Sequence, residues 1–173
     1  MEREDYHIDL SGRFYEKGAT GIACVNTGKS KHCGLAIKGR DKNIIKRKLF
    51  SADFKEEYAR LYSICIYFLI KDKLSEIKNL VVCNDECFLY VKEYLNLLIR
   101  EIPNKIKIIS ITELKEKLGK NVKSLADNFA KHYRKRALKP NKWNNGKRLN
   151  VCKITTDMII EKWEEIDKKL NRM

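Results

Sequence analysis

Apolar residues in this chain repeat with period two at first and with helical spacing later, and that single switch limits the folds available to it. Residues 5–11, 19–27 and 30–38 alternate as strands do. From residue 53 onward the spacing becomes three and four: Tyr58, Leu61, Ile64, Cys65, Phe68 and Leu69 share one face of a predicted helix over 53–72. Short apolar runs then alternate with helical segments. A strand is predicted at 79–84, a helix at 86–100, a strand at 105–111, and helices at 112–118, 122–138 and 155–170. Residues 39–48 read as a polar, basic connector with a short helical piece, and 140–150 as a loop. Three leading strands, the second and third joined by a two-residue turn, form an antiparallel meander, and the later βα alternation requires crossovers to parallel strands. The expectation is an α/β protein: a mixed five-stranded sheet flanked by helices, with an extra C-terminal helix. We divide it into a domain over 1–138 and a basic loop plus helix over 139–173 packed on that domain.

The hairpin is the most specific local prediction. With Gly28-Lys29 as a two-residue turn, Ile22 faces Leu35 and Cys24 faces Cys33. Gly28 at the first turn position suits a type II′ turn, and the count outward makes Cys24–Cys33 a non-hydrogen-bonded pair. A disulfide there is geometrically conceivable; two buried thiols are the expected state of a cytosolic protein. None of the six cysteines forms a CxxC pair, and no histidine completes a zinc site.

At 173 residues with a formal net charge of +14, the chain is long enough for a real core and strongly basic. No apolar run approaches the roughly eighteen residues of a membrane span, and the charged N-terminus carries no signal-peptide core. A cytoplasmic protein is expected. Between residues 131 and 150 there are eight Lys and Arg and no acidic residue. Such a run attracts phosphate backbones. Arg134, Lys135, Arg136, Lys142, Lys147 and Arg148 are its candidate contacts, and Trp143 within it could stack on a base.

Four acids stand out against this background. Asp9 lies in Tyr-His-Ile-Asp-Leu-Ser-Gly, Glu57 opens the first long helix, Asp85 ends the run Leu-Val-Val-Cys-Asn-Asp, and Asp127 lies in Ala-Asp-Asn-Phe-Ala. Carboxylates among apolar neighbours are costly unless paired, hydrogen-bonded or bound to a cation. Each has an alternative. Asp5 would face the same side of the strand as Asp9. Glu56 competes with Glu57, which shares its helical face with Leu61, Ile64 and Phe68, whereas Glu56 lines up with Arg60 as a solvent-type pair. Asp85 could cap the next helix. Asp127 could be a surface residue.

The order of elements and these four fragments together resemble the ribonuclease H-like superfamily of nucleases, over roughly residues 5–135. Asp9-Leu10-Ser11-Gly12 is similar to the family's first-strand Asp-Gly-Ser. Glu57 to Leu61 is similar to the Glu-Leu opening its first helix, Asn84 to Phe88 to its Thr-Asp-Ser-x-Tyr, and Ala126 to Ala130 to its Ala-Asp-x-Leu-Ala. The resemblance implies that Asp9, Glu57, Asp85 and Asp127 hold two Mg2+ or Mn2+ ions and are catalytic. Two-metal cleavage places such ions about 4 Å apart and uses hard oxygen ligands. The family's histidine in the loop before the last Asp has no counterpart here; Lys120 and Asn121 stand in that loop as candidate substrate contacts. Leu10 replaces a family Gly, and Ala52-Asp53 stand where the type 1 enzymes place an Asn that senses the RNA 2′-hydroxyl. The implied activity is a metal-dependent endonuclease acting on the RNA strand of RNA–DNA hybrids. The alternatives are a DNA junction resolvase on the same fold and a non-catalytic nucleic-acid-binding module.

Overall fold

A computed structural model describes residues 3–51, 53–84, 86–100, 106–119, 122–138 and 150–172. The elements run β1 (Glu4–Ser11), β2 (Thr20–Asn26), β3 (His32–Ile37), α1 (Gly39–Leu49), α2 (Phe54–Ile70), β4 (Ile77–Val82), α3 (Phe88–Ile99), β5 (Lys107–Ser110), α4 (Ile111–Leu118), α5 (Asp127–Leu138) and α6 (Thr156–Leu170). The strands form one sheet in the order β3-β2-β1-β4-β5. β2 is antiparallel to β1 and β3, while β1, β4 and β5 are mutually parallel. The expected mixed five-stranded sheet is therefore present, with β1 at its centre.

The sheet has two unequal faces. Tyr6, Ile8 and Leu10 of β1, Leu80 and Val82 of β4, and the inward residues of α2 and α3 build the main core. On the opposite face, Ala126 just before α5 and Ala130 and Tyr133 within it pack on Ala23 and Val25. A second small cluster joins Val81, Ile109 and Ile111, with Leu114 and Val122 against it. Close approach of α5 depends on two strand glycines. A Cβ at Gly21 would lie 2.3 Å from Arg134 N, and one at Gly34 would lie 2.2 Å from the Tyr133 ring. Residues 150–152 run along the outer edge of β3: Gly34 N donates to Asn150 O and Cys152 N to Gly34 O. This covers an otherwise open edge.

Several boundaries differ from the sequence reading. Residues 39–48 form most of a full helix, α1; only Lys42 and Ile45 of it are buried, too few to mark it in the sequence. α5 starts at Asp127 rather than 122, because Val122 packs with the β4–β5 cluster instead of joining a helix face. The hairpin register is as read, with Ile22 opposite Leu35 and Cys24 opposite Cys33. The turn is not. Lys29, not Gly28, takes the positive φ (54°), and Lys29 N donates to Asn26 O. Asn26 N donates to Lys31 O, so by ladder alternation Cys24–Cys33 is the hydrogen-bonded, wider kind of pair. Both are free thiols. A hydrogen bond from Cys24, helped by Lys73 Nζ at 3.5 Å, holds the Cys33 thiol below its ordinary range against the effect of burial.

α6 packs on α1, α2 and α3, and its anchor is Arg60 of α2. The guanidinium pairs with Asp167 at 2.8 Å, lies 4.2 Å over the Trp163 ring and donates to Trp163 O. Glu56 is not its solvent-side partner as expected, because Arg60 is buried and Tyr94 OH takes the Glu56 carboxylate. Arg60→Ala is expected to cost about 2 kcal/mol, chiefly by emptying the buried stack on the Trp163 and Tyr94 rings and removing the fork that α6 rests on, since Asp167 remains in contact with water. Chemical denaturation measures the loss, and hydrogen exchange should show it concentrated in α6. Arg60→Lys should recover little of it.

Candidate functional site

The central strand carries a polar row on an otherwise apolar face. Residues of β1 alternate, so Tyr6, Ile8 and Leu10 enter the main core while His7 and Asp9 point to the α5 side. There, α5 with β2 and β3 forms one apolar cluster and α4 with β4 and β5 another, with this row between them. Asp9 is 7% exposed and accepts the Leu10 N–H at 2.8 Å. His7, two residues earlier, is buried as well, and its Nδ1 has no hydrogen-bond partner among the described residues. Burial lowers the His7 pKa, with Asp5 opposing. Asp5 itself is engaged by Asn79 Nδ2 at 2.7 Å. His7 was not a sequence candidate; its period-two spacing from Asp9 was the available signal.

Glu57 comes from the other layer. Asp53 caps α2 by accepting Glu56 N at 3.1 Å. That fixes the first turn, in which Glu57 is 8% exposed. Its Oε1 accepts the Ser51 hydroxyl at 3.0 Å and the Ser51 N–H. Its Oε2 is buried with no hydrogen-bond partner among the described residues, a costly state for a carboxylate oxygen.

The N-terminal half of α2 lies at the carboxyl ends of β1 and β4. Phe14, just after β1, packs on Tyr62 with ring centroids 6.2 Å apart. Tyr62 OH lies 3.2 Å from Cys83 Sγ, just after β4. Cys83 N in turn donates to Ile8 O. The middle of α2 thus lies over the carboxyl ends of β1 and β4, the strand ends where open α/β sheets bind ligands, and Asp9 stands near the same end of β1 on the opposite face. Asp85 lies outside the described residues; Asn84 before it donates to Thr112 Oγ1 at 2.6 Å.

The other candidates are placed as follows. Asp127 is the first residue of α5, favourable against the helix dipole. Its side chain is 48% exposed and pairs with Lys131 at 2.7 Å. Among the described residues no three of His, Cys, Asp and Glu gather as a possible metal site. Arg134 is the best placed of the basic candidates. Its Nε donates to Ala19 O at 2.9 Å, and its guanidinium lies against Gly12, where a Cβ would come within 2.5 Å of Cζ. Gly12 has φ 72°, so glycine is required there for both reasons. A guanidinium is thus fixed three residues past Asp9, suited to holding a phosphate. Lys135 is exposed and Arg136 half-buried on the same helix. Lys120, Asn121, Lys142, Trp143, Lys147 and Arg148 lie outside the described residues.

Lys42 secures the loop between β1 and β2. It is 2% exposed, and Nζ donates to Arg13 O, Glu16 O and Thr20 Oγ1 at 3.2, 2.8 and 3.1 Å. Burial first, then Lys46 and Arg134, lower its pKa from 10.5 to about 8, with Glu16 opposing. The folded state sheds this proton near pH 8 and the unfolded state near 10.5, so stability from Lys42 rises with pH across that interval. Unfolding free energies of wild type and Lys42→Met should diverge in favour of the wild type as pH rises from about 8 to about 10.5.

Scanned against protein-family models the chain matches none, and no curated protein matches it. Among the described residues no helix is long and apolar enough to cross a membrane.

Proposed function

We propose that this chain is a divalent-metal-dependent endonuclease of the ribonuclease H-like type, cutting phosphodiester bonds in RNA–DNA hybrids. The observation supporting this reading is that Asp9 and Glu57 are both buried, one on the central strand and the other in the first turn of α2, and that Glu57 Oε2 has no hydrogen-bond partner among the described residues. An antiparallel meander extended by parallel strands is the sheet that the family resemblance implies. The donor set fits Mg2+ or Mn2+: oxygen ligands, a buried acceptor with no hydrogen donor among the described residues, and a basic protein to hold a polyanion. Asp9 and Glu57 would be the primary ligands, with Asp85 and Asp127 as further ligands; Asp127 would first exchange its Lys131 contact. Bound divalent ions would supply water activation and neutralisation of the leaving 3′ oxygen.

The chain's own residues carry the rest. Arg134 grips a phosphate oxygen from the Gly12 side and orients the scissile bond. His7, buried and disfavoured as a cation, stands neutral beside Asp9. Ser51 holds Glu57 in place through Oε1, leaving Oε2 for a ligand.

The exposed, ion-paired state of Asp127 favours one second reading, a nucleic-acid-binding module without catalysis. A panel of labelled RNA, DNA, hybrid and branched DNA, incubated with Mg2+ or with EDTA, separates the readings. Hybrid cleavage dependent on Mg2+ is expected. Cleavage of branched DNA alone would assign a resolvase, and binding without cleavage of any substrate would assign the module.

A further inference from the structure

We propose that an aromatic surface beside the acidic edge is a stacking platform for the unpaired bases of single-stranded nucleic acid. The inference deepens the nuclease reading and rests on it for the substrate's class. Tyr15 and Phe54 are 53% and 57% exposed, and both rest on one buried ring. Tyr15 meets Tyr58 edge-on at 6.1 Å, and Phe54 lies 6.4 Å from Tyr58 on its own helix. Phe50 supports Tyr58 from behind at 5.1 Å and stacks on Trp163 at 5.7 Å. Rings held this way lose little freedom when a base covers them.

Cations surround the rings. Arg13 lies 5.7 Å over Tyr15 and donates to its hydroxyl at 2.9 Å. Lys46 Nζ is 4.9 Å over Tyr58, in a last turn of α1 that also carries Arg47 and Lys48. The nearby acids are occupied: Glu16 accepts Arg13 N, and Asp53 caps α2. Exposed aromatic faces interleaved with phosphate-binding cations are the composition of a single-strand groove. The loop bearing Tyr15 is held by the three Lys42 hydrogen bonds, so the platform exists before ligand arrives. Phe54 and Glu57 share the first turn of α2, and Tyr15 lies in the loop that follows Asp9's strand, so the platform neighbours the two candidate acids. Paired bases have their faces covered by neighbours, which restricts the platform to unpaired or splayed bases. The substrate would accordingly carry a single-stranded segment next to the cut.

The test is fluorescence anisotropy of a labelled oligothymidylate in EDTA, where no metal-dependent cleavage intervenes. Wild type should bind it more tightly than a duplex of equal length. Tyr15→Ala and Phe54→Ala should each weaken binding about tenfold or more, while Tyr15→Phe and Phe54→Tyr retain it. Both positions are exposed, and circular dichroism would check that the fold persists. Unchanged affinity in the folded double alanine variant, or equal binding of duplex and single strand, overturns the platform. The two proposals fail separately. Metal-dependent cleavage unaffected by the double variant sinks only the platform, and platform-dependent binding without cleavage sinks only the nuclease.

Discussion

Asp9→Asn is expected to lower Mg2+-dependent cleavage by about 10²–10⁴-fold, the range of several kcal/mol of lost transition-state stabilisation. Asn keeps the volume of the side chain and an oxygen for the Leu10 N–H, so the strand and its packing should stand. What it removes is the charge and the hard ligand. Binding of nucleic acid should be equal or stronger, because one negative charge leaves a basic surface. The comparison needs rates and affinities on one substrate. A loss of both together would indicate damage to the fold rather than to the chemistry.

The second large effect is structural. Gly21→Ala places a Cβ 2.3 Å from Arg134 N, 2.5 Å from Ala130 O and 2.7 Å from Arg134 Cα. All three are backbone atoms inside α5, so no rotamer change relieves the clash and the helix must move away from β2. A loss of about 3 kcal/mol or more is expected, which for a chain of this size lowers the melting temperature by roughly 6–12 °C. The same shift would withdraw the Arg134 guanidinium from Gly12. Cleavage and binding should then fall together, in contrast to Asp9→Asn. Differential scanning calorimetry with parallel anisotropy distinguishes the two patterns.

Local patterns in the sequence carried much of the fold. The β2–β3 register was legible because strict alternation on both sides of one turn leaves a single pairing that buries Ile22, Cys24, Cys33 and Leu35 together. The turn itself was misread because Gly28 is the residue that tolerates positive φ most cheaply, yet Lys29 takes it in a longer loop. α1 was not legible because its burial rests on Ile45 and on a lysine, Lys42, whose ammonium is satisfied by residues 22 to 29 positions away. In the site, the burial of Asp9 followed from its apolar flanks and that of Glu57 from its helical face. Arg134 could be proposed as a phosphate contact from charge, but its place at Gly12 depends on how α5 crosses the sheet over Gly21. That information is long-range. Two glycines within strands, Gly21 and Gly34, were its only local trace.

Binding of Mn2+, followed by the loss of the free-ion electron paramagnetic resonance signal, reaches the central claim without assuming any substrate. Wild type should take up at least one ion, and Asp9→Asn and Glu57→Gln should each reduce uptake sharply while remaining folded. A wild-type protein that leaves the free Mn2+ signal unchanged, or a doubly substituted one that binds as well as wild type, would contradict the assignment of this sheet edge as a metal centre.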